Sequence, residues 1–174
     1  MLPNIVLVGF MGCGKSSVGK RLASITGHRF IDSDDLVVRA ESRTIQEIFE
    51  KNGEEYFREV ESRVVGELVG VAGIVLSTGG GVILAEQNRL SLREIGVVAW
   101  LDAAPDILFE RASRSGRRPL LQTEDPHARF DALLAERLSI YQNLSDFRVD
   151  STELSHEQAA AAILDQAIRN QRFT

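Results

Sequence analysis

Cysteine is all but missing from this chain: its 174 residues hold one, Cys13, and only three histidines, His28, His127 and His156, far apart in sequence. A single thiol closes no internal disulfide and the histidines share no ligand spacing, so neither a disulfide scaffold nor a metal held by His or Cys organises this protein. A reducing, cytoplasmic setting fits. No apolar run approaches the ~18 residues a membrane span needs. The opening MLPNIVLVGF has no basic leader and loses its apolar character at Gly9, which reads as a buried strand and not as a signal peptide. Lysine is scarce as well, with Lys15, Lys20 and Lys51 standing against 17 Arg, and the formal net charge is −5. Nucleic-acid binding rests on clustered cations that neutralise phosphates, so a net-acidic chain argues against it. Neither a nucleic acid nor a membrane is an expected partner.

What is present is a globular composition, 44% hydrophobic and 26% charged, in a chain of one-domain length, residues 1–174. Short apolar runs alternate with helical patterns. Strands are expected at residues 4–8, 29–31, 74–77, 97–101 and 147–149. Helices are expected at 15–26, 44–51, 54–69, 86–93, 105–114, 127–143 and 156–169, with Thr44 and Glu47 forming a capping box and Asn52-Gly53 breaking the chain between two of them. Strands buried on both faces and separated by helices predict an α/β fold with a parallel sheet between helical layers. Residues 113–126, SRSGRRPLLQTEDP, break the alternation and read as a mobile lid.

The first predicted strand runs into GFMGCGKSS, residues 9–17, and a helix follows. This is the P-loop pattern GxxxxGK[ST] in its required strand-to-helix context. Backbone N–H groups of Gly12, Cys13, Gly14, Lys15, Ser16 and Ser17 are placed to cradle phosphates, Lys15 to reach the β- and γ-phosphates, and the Ser16 hydroxyl to bind Mg²⁺. Neither NKxD nor DxxG occurs, which weighs against a GTPase switch. Cys13 reads as a small filler of the loop.

A second group of residues suggests an acceptor. Asp32 and Asp34 fall at the end of the second predicted strand, on the sheet edge where ligands of open α/β folds bind. One carboxylate would order the magnesium's water shell, the other would accept or orient a hydroxyl proton, and capping of the next helix is the plainer alternative. Gly79, Gly80 and Gly81 follow a buried strand, and three successive glycines point to something approaching the backbone. Arg58 and Arg137 read, from spacing alone, as surface helix residues, Arg58 with Glu54, Glu55 or Glu61 as ion-pair partner.

Taken in order, GFMGCGKSS, Asp32-Ser33-Asp34, FRxxE at 57–61, the glycines at 79–81, RRPLL at 117–121 and ERLSIY at 136–141 resemble the shikimate kinase family from residue 4 to about residue 150. The resemblance implies a nucleoside-monophosphate-kinase-like fold with five parallel strands in the order 2-3-1-4-5. It implies a cytoplasmic monomer, an enzyme of aromatic amino-acid (chorismate) biosynthesis, that transfers the γ-phosphoryl of ATP, with Mg²⁺, to the 3-hydroxyl of shikimate. It assigns Asp34, Arg58, Gly79, Gly80, Gly81 and Arg137, within an acceptor region at about 33–62, to shikimate. Arg118 becomes the lid arginine on the transferring phosphoryl, Arg111 the adenine-stacking group, and Asp32 a metal contact through water. Lys15, Asp34 and Arg118 are the implied catalytic set. The chain departs from the family at Asp150-Ser151-Thr152-Glu153, where members often carry Arg or Pro beside the adenine. Another small-molecule kinase of gluconate or nucleotide type, and a non-catalytic nucleotide-binding protein, are the competing readings.

Overall fold

The computed structural model describes residues 2–114 and 123–170. Five parallel strands, β1 (Ile5–Val8), β2 (Arg29–Asp32), β3 (Ile74–Ser77), β4 (Val97–Asp102) and β5 (Phe147–Asp150), form one sheet in the order β2-β3-β1-β4-β5. The middle strand β1 pairs on both sides, Ile5 facing Val75 of β3 and Val97 of β4. Its four side chains, Ile5, Val6, Leu7 and Val8, are all 0% exposed, and complete burial of one such side chain contributes roughly 1.5–3 kcal/mol. That is why the strand is apolar without alternation: both faces are covered. Helices α1 (Lys15–Thr26) and α7 (His156–Asn170) pack side by side over one part of the sheet, and α4 (Glu86–Ile95) and α6 (Pro126–Leu144) pack against β4. Helix α5 (Pro105–Arg114) adjoins α6.

Helices α2 (Ser33–Glu41) and α3 (Ile45–Gly66) form an annex with a small core of its own, Val37, Ile48, Phe57, Val60 and Val64. The expected capping box is present at the start of α3, where Glu47 N donates to Thr44 Oγ1 and Thr44 N to Glu47 Oε2. Asn52-Gly53 acts as a kink within one helical span: Gly53 has φ 82° and ψ 177°, a conformation for glycine alone. The helix then stops at Gly66, three residues short of the expected end, because residues 67–71 fold into successive tight turns.

A further correction concerns Asp32 and Asp34. Strand β2 ends at Asp32, and Asp34 lies in the first turn of α2 instead of on the strand. Asp32 Oδ1 accepts the Asp34 N–H at 3.1 Å, so the cap reading is right for Asp32 and a helix starts at once.

Candidate active site

In a parallel sheet all strands point one way, so the loops that follow them gather at one edge. The β1–α1 loop comes first. Gly9, Gly12 and Gly14 have φ of 154°, 86° and 90°, and a Cβ on Gly12 would sit 2.3 Å from the Leu108 carbonyl oxygen. Glycine is therefore required at position 12 by both conformation and space. Helix α1 starts with no side-chain cap and no acidic residue in its first turn, which leaves its N–H groups and positive dipole end to an anion. The Lys15 ammonium is held over this loop, donating to Gly9 O at 2.7 Å, Phe10 O at 3.2 Å and Cys13 Sγ at 3.5 Å. Cys13 is buried, as expected of a filler.

Ser16 joins the β1 loop to the β2 edge. Its hydroxyl donates to Asp32 Oδ2 at 2.9 Å and lies 3.4 Å from Ser77 Oγ at the end of β3. Asp32 thus uses one oxygen to cap α2 and the other to face Ser16.

The turn at 79–81 after β3 is gripped from three directions. Ser33, fully buried behind Asp34, accepts the Gly79 N–H at 2.8 Å. A Cβ on Gly79 would fall 2.6 Å from Asp34 Oδ1 and 3.3 Å from Glu61 Oε1, so two carboxylates converge over that residue. Arg58 Nη1 donates to Glu61 Oε2 at 2.7 Å and Nη2 to Glu54 at 3.1 Å. The expected ion pairs of Arg58 exist, but the guanidinium presses on the turn: a Cβ on Gly81 would lie 2.3 Å from Nη1. Arg137 is no surface residue. It is 5% exposed, donates from Nη1 to Gly80 O at 3.0 Å, and keeps a buried Nε with no protein partner. Helical spacing could not show this, because α6 packs this face of Arg137 beneath the turn.

Glu61 is 1% exposed, and burial pushes its carboxyl above the usual range, with Asp34 adding to the shift and Arg58 and Arg137 opposing it. Tyr141, also buried, holds its hydroxyl protonated, chiefly through burial.

On the far side of the edge, Arg111 Nη2 reaches Thr152 O at 3.5 Å, and Thr152 Oγ1 accepts the Ala104 N–H at 2.8 Å. Asp150, an exposed residue, accepts both the N–H and the hydroxyl of Thr152 on its Oδ1. Arg117, Arg118 and the RPLL motif lie outside the described residues.

A family profile for shikimate kinase matches residues 11–168 of this chain. The chain belongs to the shikimate kinase family. It is 40% identical over 168 residues to the shikimate kinase of Caldanaerobacter subterraneus subsp. tengcongensis, covering 97% of this chain and 98% of that one. The shikimate kinase from Acinetobacter baumannii, solved in complex with shikimate, superposes with a TM-score of 0.92 at 38% identity, over 98% of this chain and 96% of that one. A gluconokinase from Sinorhizobium meliloti has a TM-score of 0.60 at 21% identity over 98% of this chain and 95% of that one, which shows a shared fold alone. The strand order that the resemblance implied, 2-3-1-4-5, is the observed one.

Within this shikimate kinase framework, sequence reading gave Ser33 and Tyr141 no role and treated Glu61 only as an ion-pair partner and motif letter. Glu61 had a signal, since FRxxE places it three residues after Arg58. Ser33 and Tyr141 had none beyond their place inside quoted motifs.

Proposed function

We propose that the two halves of this edge hold the two substrates of one transfer. ATP lies on the loop at 9–17 and shikimate on the turn at 79–81, and the γ-phosphoryl passes to the 3-hydroxyl to give ADP and shikimate 3-phosphate. One observation carries the reading: Asp34, Glu61, Arg58 and Arg137 converge on that turn, next to the P-loop through Ser16 and Asp32. Two guanidiniums, one with a buried Nε unpaired, suit a carboxylate, and Asp34 with the turn's backbone suits ring hydroxyls.

In this mechanism the N–H groups of Gly12, Cys13, Gly14, Lys15, Ser16 and Ser17 bind the phosphates, and Lys15 draws negative charge from the transferring group. Its present partners are two loop carbonyls and the Cys13 sulfur, over which a phosphate anion competes well. Asp34 orients the acceptor hydroxyl or takes its proton. Little covalent work is left to the protein, since phosphoryl transfer is governed by positioning and charge. The Ser16 hydroxyl and Asp32 carboxylate are an all-oxygen donor pair of the kind Mg²⁺ prefers, Asp32 acting through water, and the ion would supply charge neutralisation at the phosphates. Arg111 would cover the adenine. The resemblance adds Arg118 of the lid, about residues 113–126, as the closing charge. Residues 1–174 act as one unit, with residues 33–62 binding the acceptor, in a cytoplasmic monomer.

Gly81→Ala isolates one part of this reading. Gly81 has an ordinary φ of −98°, so alanine is conformationally acceptable, and the three atoms nearest the new methyl all belong to the Arg58 guanidinium. Displacing that guanidinium is expected to raise the KM for shikimate about tenfold, within the range for small misplacements, while the KM for ATP stays within about twofold. Steady-state kinetics with each substrate varied in turn checks it.

The function itself is tested by ADP release from Mg·ATP with shikimate, gluconate, nucleoside monophosphates or no acceptor. Release with shikimate alone is expected. Release with another acceptor, or with none, would overturn the shikimate assignment.

A further inference from the structure

Away from the phosphate and acceptor groups, one polar cluster ties the annex together. Glu41 is the last residue of α2, and its side chain is 10% exposed. Its Oε2 accepts from Tyr56 OH at 2.8 Å and Arg43 Nη2 at 2.7 Å, and its Oε1 accepts from Arg63 Nη2 at 3.2 Å. Arg43 also donates from Nη1 to Asn52 Oδ1 at 2.8 Å. These residues come from four distinct places: the end of α2, the α2–α3 link, the residue just before the Gly53 kink, and the helix beyond it. The link itself is constrained, since Ser42 at φ 52° is the one non-glycine residue with positive φ among the described residues.

The cluster sits at the opposite end of α2 from Asp34. Glu41 lies seven positions beyond Asp34, about 10 Å along a helix. On α3, Tyr56 precedes Arg58 by two residues and Arg63 follows Glu61 by two. The apolar contacts between the helices, from Val37 to Ile48, Phe57, Val60 and Val64, are non-directional and leave sliding and rotation open. Hydrogen bonds to a charged acceptor fix direction. The hydrogen bond from Tyr56, followed by those from Arg43, holds the Glu41 carboxyl below its usual range, so it is an anion at neutral pH.

We propose that Glu41 is a positioning residue of the acceptor site: with Tyr56, Arg43 and Arg63 it sets the angle between α2 and α3, and thereby the separation of Asp34 from Arg58 and Glu61. It touches neither substrate. Its effect falls mainly on the acceptor: the P-loop and α1 lie outside the annex and meet it at Asp32, which caps α2 and accepts the Ser16 hydroxyl. This inference rests on the assignment of the turn at 79–81 to the acceptor.

Glu41→Ala is expected to raise the KM for shikimate about tenfold and to lower kcat by a smaller factor through Asp34, with the KM for ATP within about twofold of the parent. Glu41→Gln keeps the shape but not the charge, and a rise of about threefold is expected. Tyr56→Phe removes one hydroxyl donor and is expected to give about twofold to threefold, with no further rise when combined with Glu41→Ala. Thermal unfolding of each variant, with and without shikimate, runs alongside, and a smaller shikimate-induced Tm shift is expected. A shikimate KM unchanged in every folded variant, whatever the Tm of the free protein, would make the cluster merely structural and overturn the proposal. So would equal losses toward both substrates, or failure of all three single variants to fold. A parent protein that does not turn over shikimate would overturn the functional assignment instead, which the same assay reads from its first trace.

Discussion

Lys15→Ala is expected to lower kcat by about 10²–10³-fold, the scale for removing one preorganised charge-stabilising group, with the fold intact. The fold survives because Lys15 is only half-buried and its protein partners are two loop carbonyls and a thiol, none of which is left as a buried charge. The rate falls because the ammonium sits at the start of α1, in a loop whose glycines hold the backbone too close to α5 and to the end of β4 for side chains to intrude. An interaction that grows as charge spreads over the transferring group lowers the barrier and not only the ground state. Steady-state kinetics and thermal unfolding measured together check this. A kcat within fivefold of the parent would remove Lys15 from the transfer step.

Arg58→Ala carries the second large effect, and it has two separable parts. Truncating one partner of a buried charge pair costs about 2–5 kcal/mol, much of it from the stranded partner. For binding, that corresponds to roughly 30-fold to several thousand-fold in kcat/KM for shikimate, at 1.4 kcal/mol per factor of ten. For stability, the loss comes from Glu61, whose side chain is 2% exposed and which would lose its nearest cation. Burial already raises the Glu61 carboxyl and Arg58 opposes that rise, so removing Arg58 raises it further. A carboxyl raised in the folded state binds protons there that the unfolded chain does not, so folding is favoured as pH falls toward the ordinary glutamate range and weakened as pH rises through the raised value. The Arg58→Ala variant is therefore expected to unfold more easily at pH 8 than at pH 5, relative to the parent. Adding Glu61→Gln should remove that pH dependence while leaving the kcat/KM loss in place. Recovery of shikimate turnover in the double variant would mean that Arg58 supports the fold and not the acceptor.

The strand pattern and the P-loop were legible because their signals are local. A strand covered on both faces must be continuously apolar, as residues 5–8 are, and a phosphate loop needs glycine at positions 9, 12 and 14 for φ alone. The capping box at Thr44 and Glu47 and the break at Gly53 are local for the same reason. The acceptor side was legible only through an ordered set of motifs. Arg58 and Arg137 lie 79 positions apart, and nothing within either helix distinguishes an arginine that faces water from one that faces the turn at 79–81.

The sequence by itself determined the alternation of strand and helix, the phosphate loop and the family, since each is written in spacing that a backbone of fixed geometry must obey. Only the tertiary structure decided that Arg137 is buried, that Glu61 lies under the turn with Asp34 and Arg58, that Ser33 ties the turn to α2, and that Glu41 gathers Tyr56, Arg43 and Arg63. Those are meetings between segments distant in sequence. They are fixed by parallel crossovers and packing, to which no window of the chain has access.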